Sequence, residues 1–339
     1  MTTVLSTLQA SELGFGCMGI TAFYGPAMAD SEALSLLEAV YSNGVRHFDT
    51  AEVYQQFEDV VPNSSKYNEE VLGKFLQSKE AGSYTVATKF FPGLHNGACD
   101  AETVSTAVSD SLTRLGVPQI DLYYLHRMPS SIDLLEEWMR AMKDVVQSGR
   151  VKYVGLSEAP PEWLRRAHAI HPVACVQQEW SLLTREPVES SLVPVCKELG
   201  VSIVAYSPLA RNLLALGKDD LAPCDWRSAQ PRYADQENFE KNKELASKVA
   251  ALAGGLGLTG AQLSLAWLHQ RAKEMGVACV AIPGTTKVQH ALDNIAALQC
   301  RQLTDSEMAQ LAELGANVAG ARGNADYISM AFEGKSQLT

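Results

Sequence analysis

The chain has 339 residues, enough for one large domain with a buried core or for two ordinary ones. Its composition, with 46% hydrophobic and 20% charged residues, excludes the disordered and fibrous classes. A net charge of -11 argues against a nucleic-acid binder, which would present a basic face. A phosphorylated ligand is still compatible with that charge, because a few basic side chains can dominate one pocket.

Seven cysteines are scattered along the chain without a C-x-x-C pair, which is typical of reduced thiols in an intracellular enzyme. Residues 1–10 lack the basic segment and apolar stretch of a secretory signal, and no apolar run approaches the roughly 20 residues of a membrane span. We predict a cytoplasmic protein with no membrane partner. His168 and His171 have no further ligands at metal-binding spacing, so we expect them on a helix surface and predict no metal site.

From Gly14 to about Leu298 the chain alternates short apolar runs with helical stretches. The runs do not alternate strictly with polar residues, which is typical of parallel strands buried on both faces. The predicted strands are Leu13–Met18, Val45–Thr50, Tyr84–Lys89, Ile120–His126, Tyr153–Ser157, Ala174–Gln177, Ser202–Tyr206 and Cys279–Ile282. Eight strands alternating with helices predict either a closed barrel or an open doubly wound sheet.

The predicted helices have recognisable ends. The first opens at Asp30-Ser31-Glu32 and closes at Asn43-Gly44, where glycine suits a left-handed cap. The others are Glu69–Ser78, Ala101–Leu115, Ile132–Gln147, Pro161–Ile170, Val188–Leu199, Gln236–Ala253, Thr259–Lys273, Val288–Leu298 and Thr304–Leu314. The charged, proline-containing stretch Arg211–Asp235 interrupts the rhythm, and connections of that length are usually lids or binding loops.

Gly14-Phe15-Gly16-Cys17-Met18-Gly19 matches the G-x-G-x-x-G dinucleotide motif. That motif binds a pyrophosphate only when its last glycine opens a helix. Here an aromatic loop follows, and the next helix begins at about Asp30. We therefore interpret these glycines as letting the first strand end close beside a ligand.

Polar side chains stand at the carboxyl ends of the predicted strands. They are Asp49, Lys89, His126, Ser157-Glu158, Gln177 and Tyr206-Ser207. In a (β/α)8 barrel all strand ends open onto one face, so these side chains would converge, whereas an open sheet would bring fewer of them together. An enzyme needs such a cluster, and the pattern favours the barrel.

Tyr54, five residues after Asp49, is a candidate proton donor. A phenol has a pKa near 10, which a neighbouring Lys89 ammonium would lower, while Asp49 would hold Lys89 charged. A neutral His126 would orient a carbonyl. A barrel isomerase or aldolase that uses Lys89 as a Schiff-base nucleophile is an alternative on the same residues.

In its motifs the chain resembles the aldo-keto reductase superfamily over nearly its whole length. The stretches that carry the resemblance are GFGCMG, FDTAEVY, VATKF, DLYYLHR, VKYVGLSE, VQQEWSLLTR, VAYSPLAR and PGTTKVQHALDNIAAL. The resemblance implies an α/β fold, a single-domain (β/α)8 TIM barrel over residues 1–339 with extra helices and a C-terminal loop. It also implies NADPH-dependent reduction of a small-molecule aldehyde, or of a ketone, by hydride transfer, as in plant, fungal and bacterial members with GLSE and PGTTK motifs.

The same resemblance implies roles for individual residues. The catalytic tetrad would be Asp49, Tyr54, Lys89 and His126. Cofactor-binding residues would be Met18, Ser157, Glu158, Gln177, Tyr206, Ser207, Pro208, Leu209, Arg211, Ile282, Gly284, Thr285, Thr286, Lys287, His290, Asp293 and Asn294. Among these, Ser157 and Gln177 would bind the carboxamide, Tyr206 would stack on the nicotinamide, residues 207–211 would approach the pyrophosphate, residues 284–287 the 2′-phosphate, and Asp293 and Asn294 the adenine.

Aromatic side chains would form the substrate pocket, with Phe23 and Tyr24 as its candidate residues and Trp180 and Tyr327 as further ones. Trp180 is equally compatible with core packing. An apparent insertion at residues 55–67 would shape substrate access. Ala210 and Asn212 replace glycines common in the family and would stiffen or redirect the pyrophosphate loop.

An alternative function is a cofactor-binding regulatory subunit, since potassium-channel β subunits resemble this family and retain such a tetrad. That role needs a tetrameric face, which the sequence does not identify. The family resemblance implies a monomer or a weak homo-oligomer.

Overall fold

Eight parallel strands form one sheet in which each strand pairs with its neighbour in chain order. The structure, a computed structural model, describes residues 13–57, 61–215, 221 and 225–336. Residues 1–10, Cys224 and parts of the predicted insertion and lid lie outside these ranges. The strands are β1 (Phe15–Gly16), β2 (His47–Asp49), β3 (Thr85–Phe90), β4 (Ile120–Leu125), β5 (Val151–Ser157), β6 (Val173–Glu179), β7 (Ser202–Tyr206) and β8 (Cys279–Ala281).

The last strand also lies beside the first. Leu13 forms a parallel bridge with Ala281, and the Gly14 amide donates a hydrogen bond to the Ala281 carbonyl at 2.8 Å. A doubly wound sheet requires a reversal of strand order, and this sheet has none. Of the two predicted architectures, the curled TIM-barrel-like arrangement is therefore the observed one.

Helices follow the strands as predicted. They are α1 (Asp30–Ser42), α2 (Asn68–Leu76), α3 (Ala101–Leu115), α4 (Ile132–Gln147), α5 (Pro161–Ile170), α6 (Val193–Leu199), α7 (Pro231–Ala234), α8 (Gln236–Gly255), α9 (Gly260–Met275), α10 (Val288–Ala296), α11 (Asp305–Ala316), α12 (Ala325–Met330) and α13 (Phe332–Lys335). For α3, α4 and α5 both predicted ends are confirmed. Local capping explains this, since the Asp100 and Ser131 side chains accept amide hydrogen bonds where α3 and α4 begin.

Other predicted elements differ at their ends by a few residues, and three differ in kind or extent. The predicted strand Leu13–Met18 is shorter, because a 3-10 turn begins at Met18. The predicted helix Val188–Leu199 is a π-helical turn followed by α6, whose Pro194 has no amide to continue the ladder. The stretch Arg211–Asp235, expected to be irregular, contains a 3-10 turn at Trp226–Ala229 and the short helix α7.

Successive strand residues face opposite sides of the sheet. In β4, Leu122 and Tyr124 pack in the barrel interior, while Tyr123 and Leu125 pack against the surrounding helices. This double burial explains the continuous apolar runs and leaves polar side chains for the carboxyl ends. No single described helix has the length and hydropathy that crossing a membrane requires, although α8 and α9 reach them together across an 86° bend.

Candidate active site

Asp49, Lys89 and Tyr54 meet at the carboxyl end of the sheet. Asp49 ends β2, Lys89 lies in β3, and Tyr54 follows β2 in a turn. The fully buried Lys89 ammonium donates to Asp49 Oδ1 at 2.5 Å, to the Thr50 carbonyl at 2.6 Å and to Tyr54 Oη at 3.4 Å. An ammonium has three donors, so its hydrogen-bonding capacity is used in orienting Tyr54 and binding Asp49.

The charge state of this trio differs in one respect from the prediction. Burial alone would lower the pKa of Lys89, but the Asp49 carboxylate and the Tyr54 phenol raise it above its ordinary value. Burial raises the pKa of Tyr54 by more than Lys89 lowers it. The prediction that Lys89 lowers the Tyr54 pKa is confirmed for the effect of Lys89 itself, but burial outweighs it, so the pKa lies above its ordinary value and the phenol stays protonated at neutral pH.

His126 follows β4 and stands beside Tyr54. The two rings are 5.5 Å apart between centroids and nearly perpendicular. Burial, Arg127 and Lys89 hold the pKa of His126 well below its ordinary value, which agrees with the predicted neutral imidazole. Neither ring nitrogen forms a hydrogen bond with a protein group in the described part of the chain, so the imidazole is free to bond a carbonyl oxygen.

Gln177, at the end of β6, has a role that the sequence did not predict. Its Nε2 donates to Asp49 Oδ2 at 2.7 Å. Both Asp49 oxygens are therefore bound, one by Lys89 and one by Gln177. These two hydrogen bonds fix the Asp49 carboxylate between Lys89 of β3 and Gln177 of β6, two strands that are distant in sequence.

A cavity of about 620 Å³ opens beside the tetrad. Predicted residues that line it are Met18, Phe23, Tyr24, Asp49, Tyr54, His126, Gln177, Tyr206, Ser207, Pro208, Leu209, Arg211, Ile282, Gly284, Thr285, Thr286, Lys287 and His290. Lys89 lies beneath them, fully buried. The cavity thus joins the catalytic end of the barrel to the predicted 2′-phosphate segment.

Four predicted cofactor residues do not line the cavity. These are Ser157, Glu158, Asp293 and Asn294. Glu158 instead accepts hydrogen bonds from the Arg322 guanidinium at 2.6 and 3.0 Å and from the Tyr206 hydroxyl at 2.6 Å. Its carboxylate is fully buried and holds the C-terminal segment against β5.

The loop after β7 has an unusual backbone. Ser207, Ala210, Arg211 and Asn212 all have positive φ values, between 48° and 79°. Glycine adopts this region without strain, which gives a physical reason for the glycines that Ala210 and Asn212 replace. The Arg211 guanidinium, predicted to approach a pyrophosphate, is bound to Glu179 Oε2 at 2.7 Å and lies over the Trp226 ring at 4.6 Å.

At the far end of the cavity the chain passes from β8 into α10. A Cβ atom on Gly284 would lie 2.4 Å from the Gly16 carbonyl oxygen, so this glycine permits close approach of two backbone segments. The resemblance implied that residues 284–287 approach the 2′-phosphate, and it gave no sign of this contact between Gly284 and Gly16. Lys287 is exposed, and no described side chain caps the amides at the start of α10. The exposed Lys287 ammonium and the uncapped amides of α10 together are suited to binding a phosphate group.

Aromatic rings line the catalytic end. The Phe23 ring lies edge-on to the Tyr54 ring, with 6.2 Å between the ring centroids. The centroid of the Trp226 ring lies 6.5 Å from that of Tyr24 and 6.0 Å from that of Tyr327. Trp180 is a fully buried core residue, the second of its two predicted interpretations. Further lining residues that the sequence did not single out include Val53, Phe91, Arg127, Trp226, Arg227, Pro283 and Met330.

Some of these further lining residues could have been found from the sequence, and others could not. Arg127 directly follows His126 and Phe91 lies two residues after Lys89, so the strand-end rule would have found both. Trp226 and Arg227 lie in Arg211–Asp235, the stretch of a length typical of lids and binding loops, whereas no sequence spacing places Met330 at the barrel mouth.

Comparison with known proteins adds independent findings. The model of the aldo/keto reductase family matches residues 12–316. Probable aldo-keto reductase 1 of Glycine max is 39% identical over 326 residues, which cover 93% of this chain and 88% of that protein.

Solved structures are also similar. A thermostable aldo-keto reductase in complex with the inhibitor epalrestat has 27% identity and a TM-score of 0.70, covering 90% of this chain and 95% of that one. An aldo-keto reductase from Klebsiella pneumoniae in complex with NADPH has 25% identity and a TM-score of 0.68, covering 90% and 91%.

Proposed function

This chain belongs to the aldo/keto reductase family, and on that premise we propose that it reduces aldehydes, and ketones as a second class, with NADPH and with Tyr54 as proton donor. Family membership makes it an oxidoreductase. One observation carries the finer proposal: the Lys89 ammonium bridges Asp49 and Tyr54 next to His126, directly beneath a cavity that also reaches Lys287.

The cavity suits NADPH chemically. Lys287 and the uncapped amides of α10 would hold the 2′-phosphate, and Tyr206 would lie against the nicotinamide. When bound, NADPH supplies the hydride that reduces a carbonyl carbon. The Klebsiella pneumoniae relative was solved with NADPH, which supports the same cofactor here.

The protein's own residues manage the proton and the orientation of the substrate. His126 is neutral and has free ring nitrogens, so it bonds the carbonyl oxygen and positions it near Tyr54. Tyr54 is protonated at neutral pH and transfers its proton to that oxygen. Lys89 lies 3.4 Å from the phenol oxygen and stabilises the negative charge that forms there.

Neither alternative function is favoured by an observation. A Schiff-base mechanism needs a neutral amine, whereas Asp49 and Tyr54 raise the pKa of Lys89 and keep it charged. Nothing in the site or in the similar proteins points to a channel-type regulatory subunit. The free cysteines of the described ranges are typical of a reducing compartment, and we propose a cytoplasmic location.

Oxidation of NADPH, followed by its absorbance with a panel of aldehydes, ketones and pyridoxal and repeated with NADH, tests the proposal. We expect turnover of at least one carbonyl class and faster turnover with NADPH. Tight NADPH binding without turnover of any carbonyl would overturn the reductase and favour a regulatory role.

A further inference from the structure

Arg127 stands at the catalytic end of the cavity with unused hydrogen-bonding capacity. It directly follows His126, lines the cavity and is half-buried. Its Nη1 donates to the His126 carbonyl at 2.8 Å and to Ser157 Oγ at 3.4 Å. Among the described residues no acceptor bonds its Nε or Nη2, and no carboxylate lies within 4 Å of the guanidinium.

The other arginines that line this cavity are paired. Arg211 donates to Glu179 at 2.7 Å, and Arg227 donates to Asp225 at 2.5 Å. Glu158 is the carboxylate that acts on the charge of Arg127, yet both of its oxygens are bound by Arg322. Arg127 therefore differs from its neighbours in lacking a carboxylate of its own.

The charge balance of the cavity points the same way. Although the chain carries a net charge of -11, the cavity lining in the described ranges contains four Arg or Lys residues and a single acidic residue, Asp49. That carboxylate is already bound by Lys89 and Gln177. Glu158, the carboxylate that acts on Arg127, is bonded by Arg322, so an anionic ligand would give the unpaired donors of Arg127 a direct partner.

Two regions of the cavity are thus suited to anions. Lys287 and the start of α10 form one, which the proposed function assigns to the cofactor 2′-phosphate. Arg127 forms the other, on the same strand end as His126 and beside the Tyr327 ring, 5.5 Å from the guanidinium carbon. An anion bound at Arg127 would therefore belong to the molecule whose carbonyl lies against His126 and Tyr54.

We propose that the preferred substrate is a carbonyl compound that carries an anionic group, a carboxylate or a phosphate, and that Arg127 binds this group. This inference rests on the proposed reductase function. The free Nε and Nη2 of Arg127 suit two oxygens of one carboxylate or phosphate group, a pairing that lysine does not reproduce. The rings of Phe91 and Trp226 would contact the apolar body of the substrate.

Matched pairs of carbonyl compounds test the inference. One pair is 4-carboxybenzaldehyde and its methyl ester, and the other is glyceraldehyde 3-phosphate and glyceraldehyde. We expect kcat/KM to be about tenfold or more higher for the anionic member of at least one pair, and the pair that shows it tells carboxylate from phosphate. Arg127→Gln should bring the ratio of the two kcat/KM values close to one. Arg127→Lys should keep part of the preference, because lysine retains the positive charge but cannot donate two parallel hydrogen bonds.

Arg140→Gln is the matched control, since Arg140 pairs with Glu136 on the exposed face of α4 and should leave the ratio unchanged. Equal rates for the members of both pairs in the wild-type protein would overturn the inference and leave the reductase intact. A loss of NADPH affinity in Arg127→Gln, with both members slowed alike, would instead make Arg127 a cofactor residue. If no carbonyl is reduced, the proposed function fails, and the anion site is then tested by calorimetry. Equal affinities of the NADP⁺ complex for 4-carboxybenzyl alcohol and for benzyl alcohol would overturn the anion site as well.

Discussion

Arg322 binds Glu158 through both terminal nitrogens of its guanidinium, with Nη2 donating to Oε2 at 2.6 Å and Nη1 to Oε1 at 3.0 Å. The two residues are 164 positions apart. The Phe332 amide also donates to Glu158, at 2.9 Å. These contacts fasten the C-terminal segment to the end of β5 and hold Tyr327 and Met330 in the cavity wall.

Replacing Arg322 by methionine should destabilise the protein strongly. The change leaves the buried Glu158 carboxylate without its main partner, and breaking a buried pair in this way costs about 3–5 kcal/mol. Urea unfolding measures the loss, and limited proteolysis should show faster cleavage within residues 320–336. Arg301→Met, which removes an exposed pair with Glu307, is the control and should unfold like the wild type. Coincident unfolding curves for Arg322→Met and wild type would contradict the anchoring role.

Stability should fall with acidification because of Glu158. Burial alone would raise its pKa, but Arg322 and Arg127 lower it far below the ordinary value of 4.5. The unfolded chain therefore binds a proton at higher pH than the folded one, so this stabilisation is complete above the ordinary value and is lost as the pH falls below it. Urea unfolding between about pH 6 and about pH 3 should show this loss, with a shallower pH dependence in Glu158→Gln. Identical slopes in the two proteins would remove Glu158 from the explanation.

Tyr54→Phe should leave NADPH binding nearly intact and reduce turnover by orders of magnitude, because only the proton donor is lost. Fluorescence titration measures the first quantity and steady-state kinetics the second. Tyr153→Phe, which alters a tyrosine outside the cavity lining, serves as the matched control. Near-normal turnover in Tyr54→Phe would show that another group donates the proton.

Lys287→Ala should weaken NADPH binding by about tenfold or more and change NADH binding little, since only NADPH carries the 2′-phosphate. The affinity that remains should also depend less on salt. Lys248→Ala removes an exposed lysine of α8 and should alter neither affinity. Equal losses for both cofactors would place Lys287 away from the 2′-phosphate.

Phe57→Ala should raise KM for aromatic aldehydes by roughly fivefold, with a smaller effect on acetaldehyde. Phe57 belongs to the predicted insertion, is 64% exposed and lines the cavity, so its ring is placed to cover a bulky substrate. Leu94→Ala, which removes a 40% exposed apolar side chain outside the cavity lining, should change neither KM. A parallel rise for large and small aldehydes would mean that Phe57 supports the site without contacting substrate.

Local sequence determined the alternation of strands and helices and the face on which the chemistry lies. Strands buried on both faces need continuous apolar runs, and capping residues such as Asp100 and Ser131 act within one helical turn. Because parallel strands share their carboxyl ends, Asp49, Lys89 and His126 were predictable as neighbours without knowledge of any distance. The extent of residues 1–339 as one domain remains a prediction.

Tertiary structure decided what depends on burial and on pairs far apart in the chain. The net direction of the Tyr54 pKa follows from its burial, which the residues near it in sequence do not reveal. Glu158 became an anchor for Arg322 instead of a cavity residue because the C-terminal segment folds back onto β5. Trp226 reached the cavity from a segment without regular periodicity, and Arg127 lacks a carboxylate partner because Arg322 binds Glu158. Contacts of this kind join residues that are far apart in the sequence, and no local sequence pattern shows which distant segments pack together.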